Sequence, residues 1–247
     1  MIRQDLPTVH CVVPVHNRVT TTRQFMRLIS DQSYPSLRVV VVDEGSSDGT
    51  SAFLSEIEGP TVHVLRGDGT LWWGGAMNVG MEFVFGVAAD GDYLLMLNDD
   101  VRIAPSYVSN LVRDSELHHG ATMGSAQRDE ATGEFVGSGY LIDYRRMLFC
   151  AVDPVRGSVG VDALPGRGTL FPMRAARRAG FISRWLPHHL GDLEYTARAK
   201  ELGYPVMISA EAEVFTKATP CSEQGRRRWI ARRSPYNVGH RLVFFLS

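Results

Sequence analysis

Residues 37–42 read Leu-Arg-Val-Val-Val-Val, and this run stops at Asp43. A strand with apolar side chains at successive positions must be covered on both faces. That is the situation of a parallel sheet packed between helices. The flanking chain repeats the pattern. Residues 10–15 read as a strand that turns polar at His16-Asn17-Arg18, and residues 20–32 carry Phe25, Leu28 and Ile29 at helical spacing. A helix over about 50–57, a strand over 62–65, a helix over 74–88 and a strand over 93–97 follow, punctuated by the glycine-rich stretches 45–49 and 67–69. Strand, helix, strand at these spacings implies right-handed crossovers and a mostly parallel central sheet flanked by helices, an α/β fold. Ligands of such sheets bind beyond the carboxyl ends of the strands. Three polar clusters fall at those ends: His16 to Arg18, Asp43 to Asp48, and Asn98-Asp99-Asp100.

The second half is less regular. Residues 106–117 suit a helix, and 135–141 and 147–152 alternate weakly as strands. Residues 164–169 suit a loop, 173–179 a short helix closed by Gly180, 192–202 a helix closed by Gly203, and 206–208 a strand. With 247 residues, no repeat and no low-complexity linker, the chain reads as one domain over 1–220. Within it, 1–105 is a nucleotide-binding half and 106–220 an acceptor-binding half, and 221–247 is a basic extension. A formal net charge of -1 argues against a nucleic-acid partner. Cys11, Cys150 and Cys221 have no CxxC spacing, which fits free thiols in a reducing cytoplasm better than a disulfide framework or a zinc site. No stretch supplies the ~18 apolar residues of a membrane span.

The acidic clusters suit the chemistry of a bound diphosphate. A hard divalent cation, Mg²⁺ or Mn²⁺, takes oxygen ligands and neutralises phosphate charge. Asn98-Asp99-Asp100 offers such oxygens after an apolar strand. Asp100 is the expected metal ligand, with Asp99 turned to ribose or phosphate and Asn98 as an uncharged hydrogen-bonding partner. Asn and Asp also favour turns after strands, so the triplet alone leaves a turn open. Asp43 can accept the N3–H of uracil or thymine, or cap a helix or close an Asx-turn. Gly67-Asp68-Gly69 and Gly74-Gly75 let backbone approach a ligand closely, although neither is a GxGxxG fingerprint and Gly45 to Gly49 lacks Walker spacing; Gly45 and Gly74 are the expected substrate contacts. Of the adjacent Trp72 and Trp73, one suits the core and Trp73 suits a sugar or base, with two core tryptophans as the alternative. Asn78 falls on the first turns of its helix and can face the cleft. Asp192, early in a helix, suits a general base for an acceptor hydroxyl, or an ordinary N-cap. Glu194 suits holding the acceptor or orienting Asp192. His188 and His189 suit the acceptor mouth or a plain surface.

Together these clusters resemble the family 2 glycosyltransferases of the GT-A fold, over residues 9–216. Residues 12–18, Val-Val-Pro-Val-His-Asn-Arg, look like the family's opening strand and loop. Residues 41–50 look like its Asp-Asp-Gly-Ser segment, with Glu44 in place of the second Asp. Met77-Asn78-Val79-Gly80 matches Asn-x-Gly, and Leu97-Asn98-Asp99-Asp100 looks like the DxD position in its Asn-first form. Gly168-Thr169-Leu170-Phe171 resembles the segment before the acceptor site, and Gly191-Asp192-Leu193-Glu194 resembles the catalytic-base helix. The resemblance implies a single displacement that inverts the anomeric carbon. Asp192 is then the base, Asp100 the metal ligand and Asp43 the base contact, with ribose and phosphate held by Pro14, His16, Asn17, Arg18, Asn98 and Asp99. Gly168 and Thr169 lie toward the acceptor. One departure stands out: many relatives carry a metal-binding His on a late strand, where this chain reads Val214-Phe215-Thr216-Lys217. Lys217 offers a positive charge in its place.

The expected partners are a nucleotide-sugar donor, UDP- or dTDP-linked, and a glycan or lipid-linked acceptor of bacterial surface polysaccharide. Arg226, Arg227, Arg228, Arg232 and Arg233, with Trp229 and Ile230, suit an anionic membrane surface, an anionic acceptor or a solvated helix. The expected location is the cytoplasm, with peripheral contact at the inner face of the membrane if the arginines meet its surface. The apolar stretch 242–246 suits docking against the domain or a partner. Two other readings compete: a non-catalytic nucleotide- or glycan-binding domain, and a sugar nucleotidyltransferase. The second would want a glycine-rich phosphate loop after the first strand, where this chain has Pro14 to Arg18.

Overall fold

The computed structural model describes residues 6–186, 190–217 and 244–245. His188, His189, Cys221 and the arginines 226–233 lie outside the described residues. The first half follows the sequence pattern closely. The elements are β1 (Val9–Val15), α1 (Val19–Ser30), β2 (Leu37–Asp43), α2 (Thr50–Ile57), β3 (Val62–Arg66), α3 (Trp72–Val87) and β4 (Tyr93–Met96). Next come β5 (Val101–Ile103), α4 (Tyr107–Leu117), β6 (Thr122–Asp129), β7 (Gly139–Asp143), β8 (Leu148–Val152) and β9 (Ser158–Gly160). The chain continues with β10 (Thr169–Pro172), α5 (Met173–Ala179), α6 (Gly191–Glu201) and β11 (Val206–Thr216).

The main sheet runs β3-β2-β1-β4-β10-β6-β11-β5, with β9 on the side of β11. Strands β3, β2, β1 and β4 are mutually parallel, as the buried apolar runs require. Strand parity sorts their side chains into two layers. Val9, Cys11 and Val13 of β1, Val39 and Val41 of β2, and Leu95 of β4 join one core with Phe25, Phe53 and Leu111 of α1, α2 and α4. Val12, Val40, Val42, Leu94 and Met96 join the other core, under Met77 and Met81 of α3, Ala176 of α5 and Tyr195 of α6. At Gly80 a Cβ would stand 2.3 Å from a Val12 methyl, so glycine is what lets α3 lie directly on β1.

Sequence periodicity falls short in the second half. Strand β10 is antiparallel and inserts between β4 and β6, pairing Thr169 with Met96. The loop before it therefore lies at the carboxyl end of β4. The strand expected over 206–208 runs on to Thr216, with a register shift between Ser209 and Glu213. A bulge breaks the alternation there and hides the continuation. Strand β7 begins at Gly139, so residues 135–138 are no part of it. Phe135 instead makes one bridge to Arg128, whose guanidinium stacks on its ring. The β7–β8 hairpin packs Phe149 against Phe244 and Phe245, so part of the apolar 242–246 stretch docks on the domain.

Candidate active site

At the carboxyl ends of β1, β2 and β4 a cavity of about 630 Å³ opens between the strand-end loops and the segment from Gly166 to Asp192. Pro14, His16, Arg18, Trp73, Asn98, Asp99, Asp100 and Asp192 all line it. Residues as far apart as Pro14 and Asp192, in β1, α3, β4's loop and α6, thus meet at one wall or another of the same space.

Asp99 is buried and faces α1. Its Oδ1 accepts from Arg18 Nη1 at 2.9 Å and its Oδ2 from Thr22 Oγ1 at 2.8 Å. Burial pushes its carboxyl above the usual range, against the pull of Arg18 and Thr22. Both oxygens are thus committed, one of them to positioning Arg18, whose Nη1 lies 3.6 Å from Asp100. Asn98 is committed too, since its Oδ1 accepts from Trp73 Nε1 at 2.9 Å. Asp100 remains, with half of its side chain exposed. Among the described residues no three His, Cys, Asp or Glu side chains gather as a metal cage. One half-exposed carboxylate, paired with Arg18 alone among the described residues, fits a cation whose other ligands are phosphate oxygens and water, as magnesium-type sites commonly are. It does not fit a cation held by protein alone.

Asp192 lies two residues inside α6. The N-cap is Leu190, in the left-handed region at φ 65, so Asp192 is not the cap. Its Oδ2 accepts from the Gly166 N–H at 2.7 Å and its Oδ1 from the Leu193 N–H at 2.9 Å. Gly166 is wedged between Asp192 and the Trp73 ring, where any Cβ would meet the indole at 2.5 Å. Trp73 therefore spans the cavity, bonded to Asn98 at one end and packed on Gly166 at the other. Trp72 lines the cavity as well, so neither tryptophan is a pure core residue.

His16 Nδ1 donates to the Glu44 carbonyl at 2.5 Å, which leaves Nε2 to accept from Asn17 Nδ2 at 3.0 Å. Asn17 also accepts from the Ser47 N–H and binds Ser46 through its own N–H, stitching the first strand's loop to the second's. It braces the cavity wall from outside. Gly45, at φ 64, sits within 3.0 Å of the Gly69 nitrogen by its virtual Cβ and holds two loops close together. Gly74 is buried in the first turn of α3, and Thr169 is buried with its hydroxyl on the Pro165 carbonyl.

Three expected ligand contacts turn out to be occupied elsewhere. Asp43 is buried, accepting from the Ser46 N–H at 3.1 Å and from Ser51 Oγ, with Arg66 at 3.5 Å. Asn78 exchanges two hydrogen bonds of 2.9 Å with the N–H and C=O of Ile182. Glu194 makes a two-point ion pair with Arg198, at 2.8 and 2.9 Å, and Arg198 also holds the carbonyls of Ala179 and Phe181. None of the three lines the cavity. Sequence reasoning missed Glu44 and Arg167, which do. Glu44 Oε1 accepts from the Gly69 N–H at 2.5 Å, while the buried Oε2 has no hydrogen-bond partner among the described residues. Strand parity was the available signal: Asp43 continues the face of Val39 and Val41, toward α1 and α2, and Glu44 continues the face of Val40 and Val42.

The model of glycosyl transferase family 2 matches residues 10–152, more than half of the chain. The chain belongs to glycosyltransferase family 2. Succinoglycan biosynthesis protein ExoO of Rhizobium meliloti (strain 1021) is 28% identical over 111 residues, 45% of this chain and 30% of ExoO. Among solved structures, GalNAc-T7 with UDP, GalNAc and Mn²⁺ superposes with a TM-score of 0.75 at 14% identity, over 96% of this chain and 47% of that one. The mannosyltransferase PcManGT from Pyrobaculum calidifontis, in complex with GDP-Man and Mn²⁺, gives 0.65 at 17%, over 95% and 63%. S. aureus TarS gives 0.65 at 15%, over 86% and 37%. At these identities the likeness establishes the fold, the GT-A arrangement of family 2. The family 2 domain described here spans less than two thirds of the length of each of these proteins.

Proposed function

We propose that this family 2 domain is an inverting, metal-assisted glycosyltransferase that moves a sugar from a nucleoside-diphosphate sugar to an acceptor hydroxyl. The observation that carries the reading is the sharing of one cavity by Asp192 and Asp100. An alcohol holds its proton far above neutral pH, so it needs a base as it attacks. Asp192, oriented by the Gly166 and Leu193 N–H groups, takes that proton while the acceptor oxygen bonds to the anomeric carbon. The bond from that carbon to the diphosphate oxygen breaks on the opposite face, and the configuration inverts. Asp100 would hold a divalent cation, which would offset the negative charge that builds on the leaving diphosphate. Asp99 keeps Arg18 beside Asp100, at the diphosphate end of the cavity.

The unpartnered Oε2 of Glu44 is the acceptor for a ring N–H of the base. It takes the role expected of Asp43 and suits the N3–H of uracil or thymine, which favours UDP- or dTDP-linked donors. A glycan or lipid-linked glycan acceptor in surface polysaccharide synthesis is supported by the name of the relative ExoO. Contact with the inner face of a membrane rests on the sequence of the arginine-rich segment 226–233. Among the described residues, no helix is long and apolar enough to cross a membrane.

A thermal-shift screen of UDP-, dTDP- and GDP-sugars with and without Mn²⁺ tests the reading. At a hundred times its Kd a donor stabilises the fold by about 2.7 kcal/mol. A UDP- or dTDP-sugar should raise the melting point most, and Asp100→Ala should lose the part of the shift that depends on Mn²⁺. A protein stabilised by none of them refutes the donor assignment.

A further inference from the structure

We infer that Arg167 is the residue that grips the donor's diphosphate from the acceptor side of the cavity and stabilises it as it leaves. The inference rests on the donor reading above. Arg167 lines the cavity next to Gly166, whose N–H holds Asp192. Its Nη1 donates to Thr216 Oγ1 at 3.1 Å, and among the described residues it makes no ion pair. The half-buried arginines Arg128, Arg177 and Arg198 each have one, with Glu213, Asp90 and Glu194, and the more exposed Arg18 pairs with Asp99. A guanidinium has five N–H donors in a planar fork that matches phosphate, and it stays charged at any physiological pH. Lining a concave site and paired with no carboxylate among the described residues, it is a site for an anion.

Topology says which anion. Thr216 ends β11 and pairs with Val101, the residue after Asp100. The anchored end of the guanidinium thus sits on the strand paired with the residue after Asp100, a carboxylate that lines the same cavity. The backbone that carries it is held on every side. The Arg167 carbonyl accepts from Gln127 Nε2 at 3.2 Å, the Gly168 N–H donates to the Met96 carbonyl at 3.0 Å, and the Gly168 carbonyl accepts from Ser125 Oγ at 2.7 Å. Gly168 sits at φ 88, and a Cβ there would collide with Tyr107 Oη at 2.3 Å. Such a loop places a charge in advance and reorganises little when negative charge builds on the leaving group. Arg18 and Arg167 then flank the diphosphate from opposite walls.

The test is binding, so it does not depend on the acceptor. Affinities of UDP and UMP, dTDP and dTMP, and GDP and GMP are measured by calorimetry, in EDTA and in MnCl₂, for wild type, Arg167→Gln and Arg167→Lys. For the base that binds, Arg167→Gln should weaken the diphosphate about 10- to 100-fold, the range of a lost charge-assisted hydrogen-bond pair, and leave the monophosphate nearly unchanged. Arg167→Lys should recover part of that preference, because it keeps the charge but loses the fork. A diphosphate-to-monophosphate ratio that Arg167→Gln leaves unchanged in both buffers overturns the inference while the donor reading stands. That is also the outcome if the arginine serves an anionic acceptor. If no diphosphate binds wild type, the donor reading falls and this inference with it.

Discussion

Asn78→Ala should unfold more easily without changing how donor is bound by the folded protein. The side chain reaches from α3 to a backbone 104 residues away, donating to the Ile182 carbonyl and accepting from the Ile182 N–H, both at 2.9 Å. Ile182 is only 3% exposed, so water cannot readily replace either bond. Each bond contributes about 0.5–1.5 kcal/mol, and a buried group left without a partner costs about 1–3 kcal/mol. These terms overlap, and a loss of roughly 2–4 kcal/mol is the expected sum. For a chain of this size that corresponds to a melting point lower by roughly 5–15 °C. Urea titration followed by fluorescence and by circular dichroism gives the free energy directly. Asn78→Asp should be destabilised as well, since one carboxylate oxygen would face the Ile182 carbonyl. The folded variant should keep the wild-type Kd for donor. An alanine variant with wild-type stability and weakened donor binding would return Asn78 to the substrate and refute the reasoning.

Three further outcomes follow from the same geometry. Asp192→Asn should lower kcat by about 10²–10⁴-fold, the contribution of a general base, with donor Kd little changed, and transfer at the wild-type rate would sink the assignment. Glu44→Ala should weaken the donor about tenfold and leave Mn²⁺ dependence as in wild type, whereas equal affinity measured by calorimetry would remove Glu44 from base recognition. His10 is buried, and burial holds its pKa below 6.5, against the hydrogen bond and charge of Asp92. The unfolded chain then binds more protons than the folded one below pH 6.5, so stability should fall as the pH drops through that window. His10→Gln should flatten the slope of unfolding free energy between pH 7.5 and 5.5, and a slope that survives the change assigns it to other groups.

Much of the donor half was legible because its information is local. A run of consecutive buried, mostly apolar residues within 9–15, 37–43 and 93–96 marks each strand, and the change to polar residues marks where it ends. Strand parity, carried one residue past the strand, separates Glu44 from Asp43 and Asn98 from Asp99. Pro14, Glu44, Asn98 and Asp100 continue the faces of Val12, Val42 and Met96, which is the cavity side, while Asp43 and Asp99 continue the face packed on α1 and α2. A carboxylate's type suggested a ligand contact, and its parity placed it in the wall. The second half carries weaker local signals. A bulge hides half of β11, and β10 has only 4 residues to announce itself.

By itself, then, the amino-acid order determined the parallel strands, the edge of the sheet where a ligand belongs, and the acids Asp100 and Asp192 that border the cavity. Only the tertiary structure decided which polar groups remain free there. Asn78 is taken by Ile182, Glu194 by Arg198 and Asp99 by Arg18 and Thr22. Arg167 reaches the cavity because an antiparallel strand inserts beside β4 and brings its loop to the end of the sheet. The physical reason is one of range. Periodicity is written in neighbouring residues, whereas a hydrogen-bond partner a hundred positions away is set by how the strands are ordered.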